Sequence, residues 1–221
     1  MTLSELISEV QNIVQDAAWS ESMITALLNR GLLSVATGVI LPDRYQLSPP
    51  LSRLYSTGTV TTTLSNDKCD LPADFNRDLI QVVNSDYCNL RVYSSFRQFL
   101  NENPEQNTGA VRCCSRHGDL LFYRDIPNAV ETLTVHYYAT PDTLVDSTDI
   151  PDCLPEAVQK SLLVGYACSE IFNQIEDGLE GQKINTNFWN NEFQLGLVNL
   201  GLLMGHDGDP RYYDDLLDRI D

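Results

Sequence analysis

Apolar residues recur at helical spacing at the start of the chain. The first group follows Thr2 and is spaced by three and four residues: Leu3, Leu6, Ile7, Val10, Ile13 and Val14. The second group follows Ser20, a residue type favoured as an N-cap, and contains Met23, Ile24, Leu27, Leu28, Leu32 and Val35. Thr2 and Glu5 have the spacing of a capping box. The pattern predicts a helical hairpin with one apolar face, ending near Gly38 and Pro42.

The pattern changes between residues 55 and 140 to short runs rich in β-branched and aromatic residues. Turn-forming pairs such as Asn66-Asp67 and His117-Gly118 separate these runs. The predicted strands are 57–64, 78–84, 111–114, 120–123 and 133–138, with a short helix at 94–101.

Helical spacing returns after Pro155, a residue suited to the first turn of a helix. The first apolar stripe is predicted to be buried and contains Val158, Leu162, Leu163, Tyr166, Ile171, Phe172 and Ile175. Gly165 and Ala167 would let a neighbouring helix approach closely. After a break near 177–181, the second stripe contains Phe188, Trp189, Phe193, Leu197, Leu200 and Leu203. The N-terminal and C-terminal helix pairs are expected to bury their apolar stripes against each other. Three glycines are expected to mark close packing or a flexible C-terminal end: Gly196, Gly201 and Gly205.

These patterns together predict an α+β fold, mainly an α-helical bundle of about four helices with a β-rich insertion and an extended C-terminal tail. The expected domains are 1–54 with 141–205 for the bundle, 55–140 for the insertion and 206–221 for the tail. The tail, HDGDPRYYDDLLDRID, combines the breakers Gly208 and Pro210 with five large apolar side chains among aspartates. A purely solvated acidic tail does not need such side chains, so the segment is predicted to dock on a partner.

The negative charge is concentrated in the C-terminal part of the chain. Residues 141–221 contain 16 Asp or Glu and 4 Lys or Arg, which is −12 of the formal net charge of −17. A folded acidic surface repels nucleic acid and membranes. One function class that fits such a surface is a DNA-mimicking inhibitor of a nucleic-acid-binding enzyme.

The chain of 221 residues is 43% hydrophobic, enough for one or two domains with a substantial core. The start MTLSELISEV lacks the features of a secretory signal, so cytoplasmic synthesis and free thiols at all six cysteines are expected. Cys113 and Cys114 are adjacent in a β-like stretch and should point to opposite faces.

Candidate chemistry is sparse. Cys113, Cys114 and His117 lack the fourth ligand and the second ligand pair of a zinc site. His136 or His206 could serve as a base beside a cysteine, but His136 is expected to be a packed or edge residue of a strand. Arg112, Arg116 and Arg124 form a local basic group whose expected role is salt bridging. No catalytic residue, metal ligand or cofactor is therefore predicted, and the third function class, a hydrolase with an acidic cleft, has no nucleophile to support it.

The order of these features resembles the head-to-tail adaptor, or connector, proteins of tailed bacteriophages. The segments that carry the resemblance are LLNRGLLSVAT, CDLPADFNRDLIQVVN, GDLLFYRDIPNAVETLTVHYYATPDTLVD, IPDCLPEAVQKSLLVGYACSEIFNQIEDG and NTNFWNNEF, which together span most of the chain.

The resemblance implies a structural protein of the virion neck, assembled in the host cytoplasm, that forms a portal-proximal ring of twelve copies. Its implied partners are the portal protein, tail or nozzle proteins and other copies of itself, with genomic DNA passing through the lumen without specific binding and no membrane contact. The tail would grip the portal through Arg211, Tyr212, Tyr213, Leu216, Leu217 and Ile220. A head-completion stopper or a tail-side connector is the alternative within the same class.

Overall fold

The computed structural model describes residues 1–41, 46–102, 107–177 and 183–204. Both helices and sheets are present, which confirms the predicted α+β class. Two compact units are formed. A helical unit combines Met1–Arg53 with the described residues of Pro141–Asp221, and a mainly β unit comprises Leu54–Thr140.

The first two helices begin at the predicted caps. Helix α1 is Leu3–Val14, and its capping box is complete: the Thr2 hydroxyl accepts from the Glu5 amide at 3.3 Å, while the Glu5 carboxylate accepts from the Thr2 amide at 2.8 Å. Helix α2 is Glu21–Thr37, with Ser20 as N-cap and Gly38 as C-cap. A short antiparallel pair, β1 (Ile40–Leu41) and β2 (Gln46–Leu47), follows, and a 3-10 turn spans Ser52–Leu54.

The C-terminal part of the helical unit contains two long helical segments. The first, here named the central helix, runs without interruption through α4 (Glu156–Gln159), a π-helical turn (Lys160–Val164) and α5 (Gly165–Ile175). Pro155 is its N-cap rather than its first helical residue, and the π-helical turn was not predicted. The second segment is α6, Ile184–Met204. None of the helices in the described residues is long and apolar enough to cross a membrane.

Helix α6 approaches the central helix at two glycines. A Cβ atom on Gly165 would lie only 3.1 Å from the backbone nitrogen of Phe193, so the backbones of the two helices are in direct contact. A Cβ atom on Gly196 would lie 2.8 Å from the hydroxyl oxygen of Ser161. These contacts confirm that Gly165 and Gly196 mark close packing.

Tyr166 connects three helices. Its ring lies against Gly31 of α2, where an added Cβ would be 2.9 Å away, and meets the Phe193 ring of α6 edge-on with 5.5 Å between centroids. Helix α1 also packs against the central helix, so α1, α2 and α6 all contact it. The buried core residues of the three helices include Leu6, Ile24, Leu28, Leu32, Leu197 and Leu200.

Four residues of the predicted apolar stripes are exposed instead: Met23, Ile175, Phe188 and Leu203. The prediction of burial was wrong at these positions because helical spacing identifies apolar residues without showing which side of a helix has a packing partner.

The β unit contains two sheets. The first has the antiparallel order β3-β9-β5, formed by Tyr55–Thr61, Thr132–Ala139 and Phe75–Val83. The second has the order β4-β8-β7-β6, formed by Lys68–Asp70, Leu120–Arg124, Cys113–His117 and Arg91–Tyr93, with β6 parallel to β7. Strands β4 and β6 were not predicted, since three residues are too few to show an alternating pattern.

The two sheets share one core, and the short helix α3 (Phe96–Glu102) covers the second sheet. Cys114 and Tyr123 belong to the shared core, together with Val82 and Val135 from the first sheet. Cys113 belongs to a separate cluster with Tyr93 and Phe99. The predicted opposite orientation of Cys113 and Cys114 is therefore confirmed.

We expect Gly165→Ala to lower the free energy of unfolding by about 1–3 kcal/mol, because the new methyl group must displace the backbone of α6. Denaturant unfolding of the purified chain measures this change.

Gly201→Ala in α6 is the matched control. Its Cβ would lie at an ordinary distance of 3.5 Å from Leu41, so alanine should be neutral or stabilise by up to about 1 kcal/mol. If the two variants lost equal amounts of unfolding free energy, the interpretation of Gly165 as a direct backbone contact with α6 would be contradicted.

Candidate interaction surfaces

Within the described ranges, the cysteines and histidines do not form a reactive centre. All six cysteines lie in described residues and all are free, as predicted. Burial is the first cause of raised thiol pKa values: the pKa is about 11 for Cys69 and Cys153 and about 12 for Cys168, and that of Cys114 is also raised. Thiols with raised pKa values are poor nucleophiles at neutral pH. No group of three or more His, Cys, Asp or Glu within the described ranges could hold a metal ion.

The two described histidines have packing roles. The ring of His117 stacks on Phe96 with 4.3 Å between centroids. His136 lies in β9, the middle strand of its sheet, so it is a packed rather than an edge residue; its Nδ1 lies 2.6 Å from the Tyr55 hydroxyl and 3.2 Å from the Thr57 hydroxyl. His206 lies outside the described residues.

The arginine group has the expected local partners at two of its three positions. Arg112 makes a bidentate contact with Asp125 at 2.7 and 3.1 Å, and Arg124 pairs with Asp67 at 3.2 Å. Arg116 instead places its guanidinium 4.6 Å from the centre of the Phe75 ring. These side chains therefore support the β unit.

The loop before the central helix carries an acidic surface. Asp142, Asp146 and Asp152 are exposed. The loop is held on the start of α1, because the Leu3 amide donates to the Asp149 carbonyl at 2.8 Å and the Ser4 amide donates to the Ser147 carbonyl at 3.0 Å. A shallow cleft beside it is lined partly by carboxylates of α1 and α4. Fixed carboxylates on the helical unit produce a local field that opposes the approach of phosphate groups.

Helix α6 exposes an apolar face, of which the predicted stripe contained only Phe188. The face, here named the α6 face, repeats at spacings of four and three residues and contains Ile184, Phe188, Asn191, Leu195, Val198 and Leu202. Phe188, Leu195 and Leu202 are each more than half exposed. The spacing is visible in the sequence, but the inward side of α6 is equally apolar, so periodicity alone could not separate the two.

Helix α2 exposes a second face, here named the α2 face. It contains Met23, Ala26, Arg30 and Leu33, all exposed and spaced by three and four residues. The opposite side of α2 carries the core residues Ile24, Leu28 and Leu32. The α2 face thus has apolar side chains around a single cation.

Glu176 fixes the start of α6. Its nearly buried carboxylate accepts four hydrogen bonds, from the amide and side chain of Asn185 at 3.1 and 3.0 Å and from the amide and hydroxyl of Thr186 at 3.1 and 2.7 Å. The Thr186 hydroxyl is the first cause that lowers the pKa of Glu176, with the remaining donors adding to it and burial acting in the opposite direction. The amides of a first helical turn have no partner inside the helix, so this carboxylate replaces an ordinary N-cap.

The predicted docking residues lie outside the described residues. They are Arg211, Tyr212, Tyr213, Leu216, Leu217 and Ile220, all after Met204, the last described residue. Asp207, Asp209 and Asp214, which resemble a short run of calcium ligands without the closing glutamate, lie there too.

Exposed apolar helix faces beside an acidic loop are features of a structural protein that works through macromolecular contacts. The family model for the SU10 adaptor protein matches residues 1–215, so the chain belongs to this family of phage head-to-tail adaptors. The predicted resemblance is thereby confirmed. A comparison with curated proteins finds no match. Family membership makes the chain a phage structural adaptor, in a class that is typically non-enzymatic.

We expect the stability contributed by Glu176 to depend on pH. Its folded-state pKa lies below the ordinary value of about 4.3, so the carboxylate stabilises the fold above that pH and this contribution is lost as pH falls through the folded-state pKa. Glu176→Gln should therefore be less stable than the parent at neutral pH, and the difference should disappear in strong acid. Urea unfolding at a series of pH values measures it.

Asp177→Asn serves as the control, because the Asp177 side chain is 81% exposed. If the free energy of unfolding of Glu176→Gln stayed below that of the parent by the same amount down to strong acid, the role of the ionised carboxylate would be contradicted.

Proposed function

We propose that this protein forms a ring in the virion neck, between the portal and the tail of a tailed phage, through which genomic DNA passes. The match of the adaptor family model to residues 1–215 carries the proposal, since it spans both units and most of the tail. The proposed partners are the portal protein, tail or nozzle proteins and further copies of the chain in a twelvefold ring, assembled in the host cytoplasm.

The helical unit is proposed to be a four-helix bundle of α1, α2, the central helix and α6. The packing of α1, α2 and α6 on the central helix supports this arrangement. The proposed domains are the bundle at 1–54 and 141–205, the β-rich insertion at 55–140 and the docking tail at 206–221.

The docking tail is proposed to bind the portal. It begins two residues after the end of α6, and its apolar side chains alternate with aspartates in a way that a solvated tail does not require. In this proposal Arg211, Tyr212, Tyr213, Leu216, Leu217 and Ile220 contact the portal, and the bundle supports the start of the tail.

The acidic loop surface is proposed to face the DNA passage. Duplex DNA carries one phosphate charge per about 1.7 Å of axis, so carboxylates along the lumen would repel it and reduce sticking. The exposed positions of Asp142, Asp146 and Asp152 support this role.

Truncation after Gly205 should abolish binding to the portal of the same phage, and full-length chain should form a ring of defined copy number on it. Light scattering and electron-microscopy class averages of the mixture measure both. A ring that is located at a different layer of the neck would identify a stopper or a tail-side connector instead.

Two triple variants refine this test. Replacing Tyr212, Leu216 and Ile220 by serine should weaken portal binding at least about tenfold, because apolar anchors carry most of the binding energy of such contacts. Replacing Asp214, Asp215 and Asp218 by asparagine keeps those anchors and should have a smaller effect. A truncated chain that bound the portal with unchanged affinity would rule out tail docking.

Neutralising the acidic loop should make the assembled ring retain DNA. We expect the triple variant Asp142→Asn, Asp146→Asn and Asp152→Asn to bind duplex DNA several-fold more tightly at low salt than the parent ring. The control neutralises three exposed aspartates of the β unit, Asp70, Asp86 and Asp119, by the same substitution. Equal retention by both variants, in a mobility-shift titration, would contradict a specific role for the loop.

A further inference from the structure

The two helices that expose apolar faces carry little charge for so polyanionic a chain. Helix α6 has a single charged residue, Glu192, and α2 has only Glu21 and Arg30. The chain as a whole carries a formal net charge of −17. Electrostatic repulsion between two copies of the chain is therefore small where these helices face each other.

The cation of the α2 face matches an amide within the α6 face and a carboxylate that flanks this face. Arg30 lies near the middle of α2, and Asn191 and Glu192 lie near the middle of α6. Neither Arg30 nor Glu192 forms an ion pair with another described residue. Aligning the faces centre to centre would bring the Arg30 guanidinium towards the Glu192 carboxylate and the Asn191 amide oxygen, with apolar side chains on both sides.

The faces belong to helices on different sides of Tyr166. Helix α2 contacts the Tyr166 ring through Gly31, and α6 contacts it through Phe193. A contact between the α2 face of one copy and the α6 face of another leaves the second face of each copy free for the next copy. Such a heterologous contact forms a closed ring when the rotation between neighbouring copies closes, as the proposed ring function requires.

We propose that the α2 face of one copy packs against the α6 face of the neighbouring copy, and that this is the contact between subunits in the ring. The proposal rests on the ring function proposed above. On both faces the residues are spaced by four and three, which is the spacing of contact residues on two helices that pack side by side at a small angle. The occupant of each face is therefore a second copy of this chain.

The test measures self-association without the portal. High salt screens the repulsion between acidic copies, so sedimentation velocity of the full chain in high salt should show concentration-dependent association of the parent. Leu33→Asp on the α2 face and Leu195→Asp on the α6 face should each weaken it at least about tenfold, since each would bury an unpaired carboxylate. Both leucines are about half exposed, so the variants should fold, which circular dichroism checks.

Mixing the two variants distinguishes the proposed contact from others. Each variant keeps one intact face, so an equal mixture should form a heterodimer and nothing larger. Leu64→Asp is the matched control, because Leu64 has the same 53% exposure as Leu195 but lies in the β unit. It should associate like the parent.

A charge exchange tests the alignment of the faces. Arg30→Glu and Glu192→Arg should each weaken association, and the double variant should restore it. Parent-like association of both leucine variants, a mixture that stays monomeric, or a parent that never associates in high salt would overturn the proposal.

The portal experiment separates this proposal from the proposed function. Leucine variants that still complete the ring on the portal overturn the contact and leave the adaptor function standing. A parent that associates through these faces but does not bind the portal supports the contact and overturns the portal-docking function.

Discussion

The direct backbone contact between the central helix and α6 at Gly165 is the constraint on which the helical unit depends. It brings Phe193 against Tyr166 and places Gly196 over Ser161, which determines the rotation of α6 about its own axis. Once that rotation is set, Leu197 and Leu200 are buried while Phe188 and Leu195 face outward. Glu176 holds the first turn of α6 by four hydrogen bonds and so fixes where the helix begins.

Charge is the second constraint. A protein with a net charge of −17 opposes its own assembly, and repulsion between exposed charges falls only over about 8 Å at physiological salt. Four carboxylates of the helical unit lie on the loop before the central helix, whereas α6 has one charged residue and α2 has one of each sign. The acidic loop can therefore repel DNA while the apolar helix faces bind neighbouring copies of the chain.

The β unit has its own core and does not depend on the helical contacts described above. Its two sheets enclose Cys114 and Tyr123, and α3 covers the outer side of the second sheet with Phe99. Burial raises the pKa values of the Cys113 and Cys114 thiols, so these two cysteines serve as packing residues rather than as nucleophiles. This arrangement agrees with a structural protein.

The sequence by itself determined the α+β class, the capped starts of α1 and α2 and the opposite orientation of Cys113 and Cys114, because caps and periodicity are local properties. It also contained the ordered segments that correctly indicated the adaptor family. Only the tertiary structure decided which side of α6 is buried, since that helix has apolar residues on two sides and the choice between them depends on its contact with Gly165 of another helix. Strands β4 and β6 likewise exist because β8 and β7 offer them hydrogen-bonding partners distant in sequence, and no local pattern of three residues can express such a pairing.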